Sequence, residues 1–215
     1  MPMICTDATA RRPGLSWPVR LLVGVAVTAA FVTALYFFID QPVFFFFRDC
    51  ELGRYRFLKW LTRPPEAFVL LSPAVLLAGL LRRWFSPWNR AEKVAVAAAV
   101  STLFTALAAL LLKIAFGRSV DGFHPFHFDE AYWAFPSGHT ACTVSVTVVA
   151  QAALPRWRLF WWALTGTVAA TLIALTHHFV GDILGGACLG WAVGGTVARA
   201  FRLEAPSTTD PRVAR

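Results

Sequence analysis

The chain has 215 residues, of which 57% are hydrophobic and only 15% are charged, and its mean hydropathy is +0.58. A soluble domain carries about 25% charged and about 45–50% apolar residues, so this composition excludes an ordinary soluble domain. The formal net charge of +8 is of a kind seen in nucleic-acid-binding proteins. The basic residues, however, lie in short clusters between apolar runs. The charge therefore indicates membrane topology, and we expect no nucleic-acid partner.

Six apolar runs approach the roughly 20 residues that a helix needs to cross the hydrocarbon core of a bilayer. In chain order, the predicted spans are 19–38, 67–85, 94–116, 137–154, 159–175 and 183–201. The first run stays apolar for longer than the h-region of a signal peptide, so we predict a retained anchor. The sequence therefore predicts an all-α, six-transmembrane-helix bundle over residues 17–203, with disordered cytoplasmic tails at 1–16 and 204–215.

Four basic clusters lie on one side of such a six-span bundle, together with both termini, and the positive-inside rule makes that side cytoplasmic. These clusters are Arg11, Arg12 and Arg20; Arg82, Arg83, Arg90 and Lys93; Arg156 and Arg158; and Arg199, Arg202, Arg212 and Arg215. We expect an integral multi-pass protein of the bacterial inner membrane, with its active site on the outer, periplasmic face. The oligomeric state is left open.

Two outer loops carry further signals. Segment 43–63 mixes aromatic and charged residues, which predicts either a helix lying in the interface or an irregular loop. The aromatic-rich loop 117–135 indicates a membrane-interface belt, with a substrate lid as the alternative. This second loop also contains four potential metal ligands: His124, His127, Asp129 and Glu130. Their spacing matches no ligand motif, so we predict no metal and keep a metal-dependent hydrolase as the weaker alternative.

Ionisable residues at span ends converge on one face of the membrane. Lys113 and Arg118 end the third predicted span, residues 136–139 open the fourth, and residues 177–182 join the fifth to the sixth. Loops that follow odd-numbered spans share a face, so these three groups meet whichever way the protein is oriented. Ionisable groups at such positions are costly, and they are therefore candidates for function.

The chemistry of these groups is that of phosphoryl transfer. Ser137 and Gly138 at a helix start offer backbone amides to an anion, although Ser137 is equally suited to a helix cap. Lys113 and Arg118 add positive charge, with an interface position as the alternative for Arg118. His178 and Asp182 are four residues apart, so the carboxylate can orient the imidazole as a nucleophile. His139 is placed to protonate a leaving alkoxide. His177 lacks this spacing to Asp182.

These residues also resemble a known family. Phe-Pro-Ser-Gly-His-Thr (135–140) and His-Phe-Val-Gly-Asp (178–182) resemble the second and third motifs of the type 2 phosphatidic acid phosphatase (PAP2) superfamily. Lys-Ile-Ala-Phe-Gly-Arg (113–118) resembles the start of its first motif. The resemblance implies a PAP2-like fold and a lipid phosphatase that needs no metal, and we expect no cofactor. It assigns His178 as the phosphohistidine, Asp182 as its support and His139 as the general acid. It assigns phosphate binding to Lys113, Arg118, Ser137 and Gly138.

The sequence departs from the family pattern at two arginine positions, which Val120 and Leu172 occupy. Arg118 is the candidate replacement for one of these arginines. We therefore expect hydrolysis of a phosphomonoester or diphosphate headgroup, carried out by a divergent member. Two alternatives remain: a lipid phosphotransferase on the same scaffold, or a non-catalytic transporter or assembly protein. The missing arginines favour the non-catalytic alternative, whereas the two histidines with Asp182 disfavour it.

Overall fold

The computed structural model describes residues 15–203, and its architecture is all-α, as predicted. Eight α-helices follow one another within these residues. They are α1 (Trp17–Phe38), α2 (Asp40–Asp49), α3 (Arg56–Leu61), α4 (Pro64–Phe85), α5 (Arg90–Phe116), α6 (Gly138–Ala153), α7 (Arg158–Ala174) and α8 (Val180–Ala200). Short 3-10 turns lie at Leu52–Arg54, Glu130–Tyr132 and Pro155–Trp157.

Every predicted span coincides with one long helix: α1, α4, α5, α6, α7 and α8. Within residues 15–203, four segments are long and apolar enough to cross a membrane by length and composition. These are Trp17–Phe38, Arg56–Phe85, Arg90–Phe116 and Val180–Ala200. Helices α6 and α7 have only 16 and 17 residues. The count of six is therefore approximate, and the chain is an integral membrane protein.

Segment 43–63 is neither one interfacial helix nor an irregular loop. It contains most of α2, then a 3-10 turn, and then α3. The terminal tails lie almost wholly outside the described residues, and the domain limits at residues 17 and 203 stay a prediction.

The core of the bundle lies between α6 and α8. Most residues of α6 are buried, and α8 presents three glycines at four-residue spacing to it: Gly186, Gly190 and Gly194. A Cβ added at Gly190 would overlap the carbonyl oxygen of Ala141. Small residues on one helix face let two backbones approach closely, as membrane helices require in the absence of a hydrophobic driving force. This close packing fixes the beginning of α8 beside the beginning of α6.

The outer helices expose apolar surface that suits contact with lipid. No residue of α1 is buried, although the helix is mostly apolar. It packs on α8, where the rings of Trp17 and Trp191 lie 5.0 Å apart. In water such a surface would be a large exposed hydrophobic patch, whereas a bilayer covers it.

Loop 117–135 is folded against the bundle. It starts at Gly117, which ends α5 in the left-handed conformation (φ 56°) that glycine adopts without steric cost. Strands β1 (Arg118–Ser119) and β2 (Gly122–Phe123) then form a small antiparallel hairpin. The backbone amide of Ala134 donates to the carbonyl of Arg118 at 3.1 Å, which brings the end of the loop back to its beginning.

Candidate active site

The N-terminus of α6 forms the anion-binding end of the site. Ser137 is buried and caps the helix, because its Oγ accepts a hydrogen bond from the amide of Thr140 at 3.4 Å. Within residues 15–203, the amides of Gly138 and His139 have no hydrogen-bond partner. Free first-turn amides and the positive end of the helix dipole attract an anion. The structure therefore gives Ser137 the cap role and leaves the next two amides available.

Lys113 brings a positive charge to this helix end. It lies in the last turn of α5, and its Nζ donates a hydrogen bond to the carbonyl of Trp133. A Cβ added at Gly138 would lie 3.7 Å from Lys113 Cε, so the side chain passes directly beside the α6 N-terminus. Lys113, Gly138 and His139 line one cavity.

His178 and Asp182 form the predicted pair at the beginning of α8. His178 Nδ1 lies 3.6 Å from Asp182 Oδ2, and the same oxygen accepts the Phe179 amide at 2.9 Å. Because Nδ1 faces the carboxylate, Nε2 is the ring nitrogen left for reaction with a substrate. Asp182 is fully buried and the His178 side chain is 9% exposed, so the pair is shielded from bulk water.

A backbone contact joins the two motifs. The amide of Ser137 donates to the carbonyl of Asp182 at 3.1 Å. This bond holds the cap of α6 directly against the first turn of α8, so a shift of one helix would displace the other. His139 and His178 are also close enough to interact electrostatically, as are Lys113 and Asp182. The predicted residues of three separate segments therefore lie close together.

Arg118 is buried between two carboxylates. It is 1% exposed, and its Nη1 donates to Asp182 Oδ1 and its Nη2 to Asp40 Oδ2, both at 2.6 Å. Its guanidinium also lies 4.4 Å from the centre of the Phe179 ring. Both terminal nitrogens are thus committed to carboxylates. The role of Arg118 in binding phosphate stays a prediction, and the geometry favours a supporting role.

Two acidic residues at the site were missed by the sequence reasoning. Asp40 is buried beside Arg118, and Glu66 lies near His139, with 3.6 Å between Glu66 Oε1 and His139 Nε2. Glu66 is also paired with Arg63, whose Nη1 lies 2.7 Å from Oε2. A signal was present for both: each carboxylate adjoins the end of a predicted span, where a charge is costly without a partner.

The cavity beside these groups is mostly apolar. Its volume is about 540 Å³, and it lies among α4, α5 and α6. Its polar end consists of Lys113, His139 and Glu66, whereas apolar side chains of α4 and α5 form the rest: Val69, Leu70, Ala106, Ala109 and Leu110. A charged end continued by an apolar channel suits an amphiphilic ligand.

The remaining candidates lie outside this cavity. His177 lies at the surface, and partial desolvation of its ring, with the neighbouring charges of His178 and Lys59, lowers its pKa. The rings of His124, His127 and Tyr132 pack together in loop 117–135. No group of three or more His, Cys, Asp or Glu side chains within residues 15–203 is placed to hold a metal ion.

A comparison with protein families decides the relationship. The family model described as the PAP2 superfamily matches residues 94–205, just over half of the chain. The chain belongs to the PAP2 superfamily. The match contains all seven residues that the sequence analysis assigned to the site, together with the two positions where PAP2 arginines are absent.

A solved PAP2 structure shares this fold. It is described as the first transmembrane PAP2 type phosphatidylglycerolphosphate phosphatase from Bacillus subtilis, and it is 19% identical to this chain. The match has a TM-score of 0.50 and covers 90% of this chain and 100% of that one. No curated protein matches the sequence of this chain.

The two departures from the PAP2 motifs lie in different surroundings. Leu172, on α7, is 1% exposed and packs in the interior, so the fold has filled that position with an apolar side chain. Val120 lies in the turn of the β1–β2 hairpin and is 43% exposed. Lys113 lines the cavity directly. Arg63 is paired with Glu66, which also lines the cavity.

Proposed function

We propose that this PAP2 protein is a lipid phosphatase that hydrolyses a phosphomonoester or diphosphate headgroup through a phosphohistidine, without a metal ion. The observation that carries the proposal is the joining of two features by one hydrogen bond. The His178–Asp182 pair and the capped N-terminus of α6 are linked through the Ser137 amide and the Asp182 carbonyl. A nucleophile with an orienting carboxylate thus lies against a site built for an anion.

In the first step, His178 Nε2 attacks phosphorus, forming a P–N bond while the P–O bond to the lipid breaks. His139 donates a proton to the departing oxygen, so an alcohol leaves, or a phosphate monoester if the substrate is a diphosphate. Asp182 stabilises the positive imidazole ring of the intermediate, because its Oδ2 faces Nδ1. Water then attacks phosphorus and breaks the P–N bond. His139 accepts a proton from that water, and inorganic phosphate leaves.

The phosphoryl oxygens are bound by Lys113 and by the free amides of Gly138 and His139 in this proposal. Lys113 lies beside Gly138, and both line the cavity. Positive groups held in place before the reaction stabilise the charge that develops in the transition state. Ser137 contributes as the cap that holds these amides in position.

The cavity supports a substrate with a hydrocarbon tail. Its charged end suits the phosphate, and its apolar walls on α4 and α5 suit an alkyl or prenyl chain. A soluble phosphate ester would leave those walls exposed to water. A lipid instead buries them, at about 25 cal/mol for each Å² of apolar surface. We propose that the lipid enters from the outer leaflet of the bacterial inner membrane, with both termini in the cytoplasm.

Two other functions use the same scaffold. A lipid hydroxyl in place of water would make the protein a phosphotransferase, since the phosphohistidine is common to both reactions. A non-catalytic protein would explain the missing arginines, but it would have no need for the buried pairing of His178 with Asp182.

The test is phosphate release by detergent-purified protein from a panel of lipid phosphates and diphosphates, with EDTA present. We expect release that EDTA does not reduce, that His178→Ala abolishes and that His177→Ala leaves largely intact. Transfer of the phosphoryl group from a labelled lipid phosphate to an added lipid alcohol would favour the phosphotransferase. Equal release by wild type and His178→Ala would refute the mechanism, and release lost only to EDTA would indicate a metal-dependent hydrolase.

A further inference from the structure

Three buried charged side chains form a network behind the predicted nucleophile. Arg118 lies between Asp40 and Asp182, with 2.6 Å from each of its terminal nitrogens to a carboxylate oxygen. The three residues are at most 1% exposed. Charges buried this deeply are costly unless they are paired and hydrogen-bonded, so the network is a built feature of the fold.

The network ties together three elements that are distant in the sequence. Asp40 is the first residue of α2, Arg118 opens β1, and Asp182 lies in the first turn of α8. Asp40 also reaches α8 directly, because its Oδ1 accepts the amide of Gly181 at 2.9 Å. A single carboxylate on α2 therefore contacts both the guanidinium and the backbone that carries Asp182.

The charge balance gives Asp40 a specific effect. Arg118 paired with Asp182 alone would neutralise the carboxylate that faces His178, leaving less negative charge to stabilise a positive imidazole. With Asp40 present, two carboxylates share one guanidinium, and the network keeps a net charge of −1. That charge matters because Lys113, which lines the cavity, interacts electrostatically with Asp182.

We propose that Asp40 is a positioning residue of the active site. It holds Arg118 and the first turn of α8 in place, and it offsets the guanidinium so that Asp182 keeps its negative charge for His178. This inference rests on the proposed phosphatase function. It also explains why Arg118, a cation in the first PAP2-like motif, faces carboxylates and not the cavity.

The main experiment compares Asp40→Asn with Asp49→Asn, the same substitution at the other, exposed end of α2. Wild type and His178→Ala are measured in the same series. We expect Asp40→Asn to lower kcat roughly 10- to 100-fold, by analogy with the loss caused by removing the hydrogen-bonded partner of a metal-ligating side chain. KM should change little, because Asp40 does not line the cavity. Asp49→Asn should behave as wild type.

Two further variants separate positioning from a loss of folding. Gly181→Ala keeps every charge but places a Cβ 2.8 Å from Asp40 Oδ2 and 3.2 Å from Arg118 Nη1, so it displaces the network. It should lower kcat in the same way. Adding Arg118→Gln to Asp40→Asn removes the cation that would otherwise neutralise Asp182, so the double variant should recover part of the kcat and of the phosphohistidine trapped in a single turnover. A purely structural role would make the double variant worse than the single one.

The outcomes are distinguishable. An active, His178-dependent wild type with unchanged kcat in Asp40→Asn overturns this inference alone. No His178-dependent release by wild type overturns the proposed function and this inference together. If Asp40→Asn does not fold, Gly181→Ala decides: a selective loss of kcat in folded protein supports the inference, and a wild-type kcat overturns it.

Discussion

Replacing Arg118 by Gln removes the cation that two buried carboxylates share. Asp40 and Asp182 are 1% and 0% exposed, and each forms a 2.6 Å ion pair with this guanidinium. A Gln amide carries no charge, and it cannot replace both pairs. We expect the variant to be destabilised strongly, and its kcat to fall because Asp182 is displaced.

The magnitude follows from the burial. Removing one partner of a buried ion pair costs about 3–5 kcal/mol, because an uncompensated charge stays in the interior. Two carboxylates lose this partner here. We therefore expect a loss of about 3–5 kcal/mol in the free energy of unfolding. For a chain of this size, that corresponds to a melting temperature lower by roughly 6–20 °C.

The assay is thermal unfolding of detergent-purified protein, followed by intrinsic tryptophan fluorescence, with kinetics measured on the folded fraction. The matched control is Arg54→Gln, since Arg54 is exposed and forms a surface ion pair with Glu51 at 3.3 Å. Exposed pairs contribute about 0–1 kcal/mol, so the control should change little. A normal melting temperature with a KM raised about tenfold or more would refute this reasoning, because it would show that Arg118 binds phosphate.

Three further predictions test the packing and the site. Gly190→Ala should lower stability by about 1–3 kcal/mol or more, because its Cβ would overlap the Ala141 carbonyl; Gly166→Ala, with open space around it, is the control in thermal unfolding. Glu66 lies beside His139, so Glu66→Gln should weaken His139 as a proton donor and lower kcat about 3- to 10-fold for lipid substrates. The loss should be smaller for p-nitrophenyl phosphate, whose leaving group needs no proton from His139. Equal losses on both substrates would contradict a role of Glu66 in supporting His139. Substrates with shortened acyl chains should show KM values that rise by roughly fourfold for each CH₂ removed from the apolar cavity, and a flat series would indicate a soluble substrate.

The positions of the long helices could be predicted from the sequence because the signal for a membrane helix is local. An apolar run near 20 residues has few alternatives, and each predicted span coincides with a helix to within a few residues. Helix α6 shows the limit of this reasoning. Its 16 residues are mostly buried by neighbouring helices, so its apolar character reflects packing in the bundle as much as contact with lipid.

The site was predictable where its residues are close in the chain. His178 and Asp182 are one helical turn apart, and the Ser137 cap belongs to the helix that follows it. The spacing alone therefore indicated these relationships. Lys113 was placed correctly beside the α6 N-terminus by counting spans, because the parity of the helices determines which loops share a face.

The partners of Arg118 depend on the tertiary structure, since they come from α2 and α8, 78 and 64 residues away. A positively charged residue near a phosphate-binding motif can either bind the phosphate or form a buried ion pair, and the sequence does not distinguish between these two roles. Glu66 and His139 come together in the same way from α4 and α6.

The amino-acid sequence was enough to predict that the chain spans a membrane and which short motifs meet on one face of it. These features depend on hydrophobic length, on helix period and on the parity of the spans. The tertiary structure was needed to show that Arg118 pairs with both Asp40 and Asp182. The energy of a buried charge depends on which groups lie within a few ångströms of it, and long-range packing of the helices sets those distances.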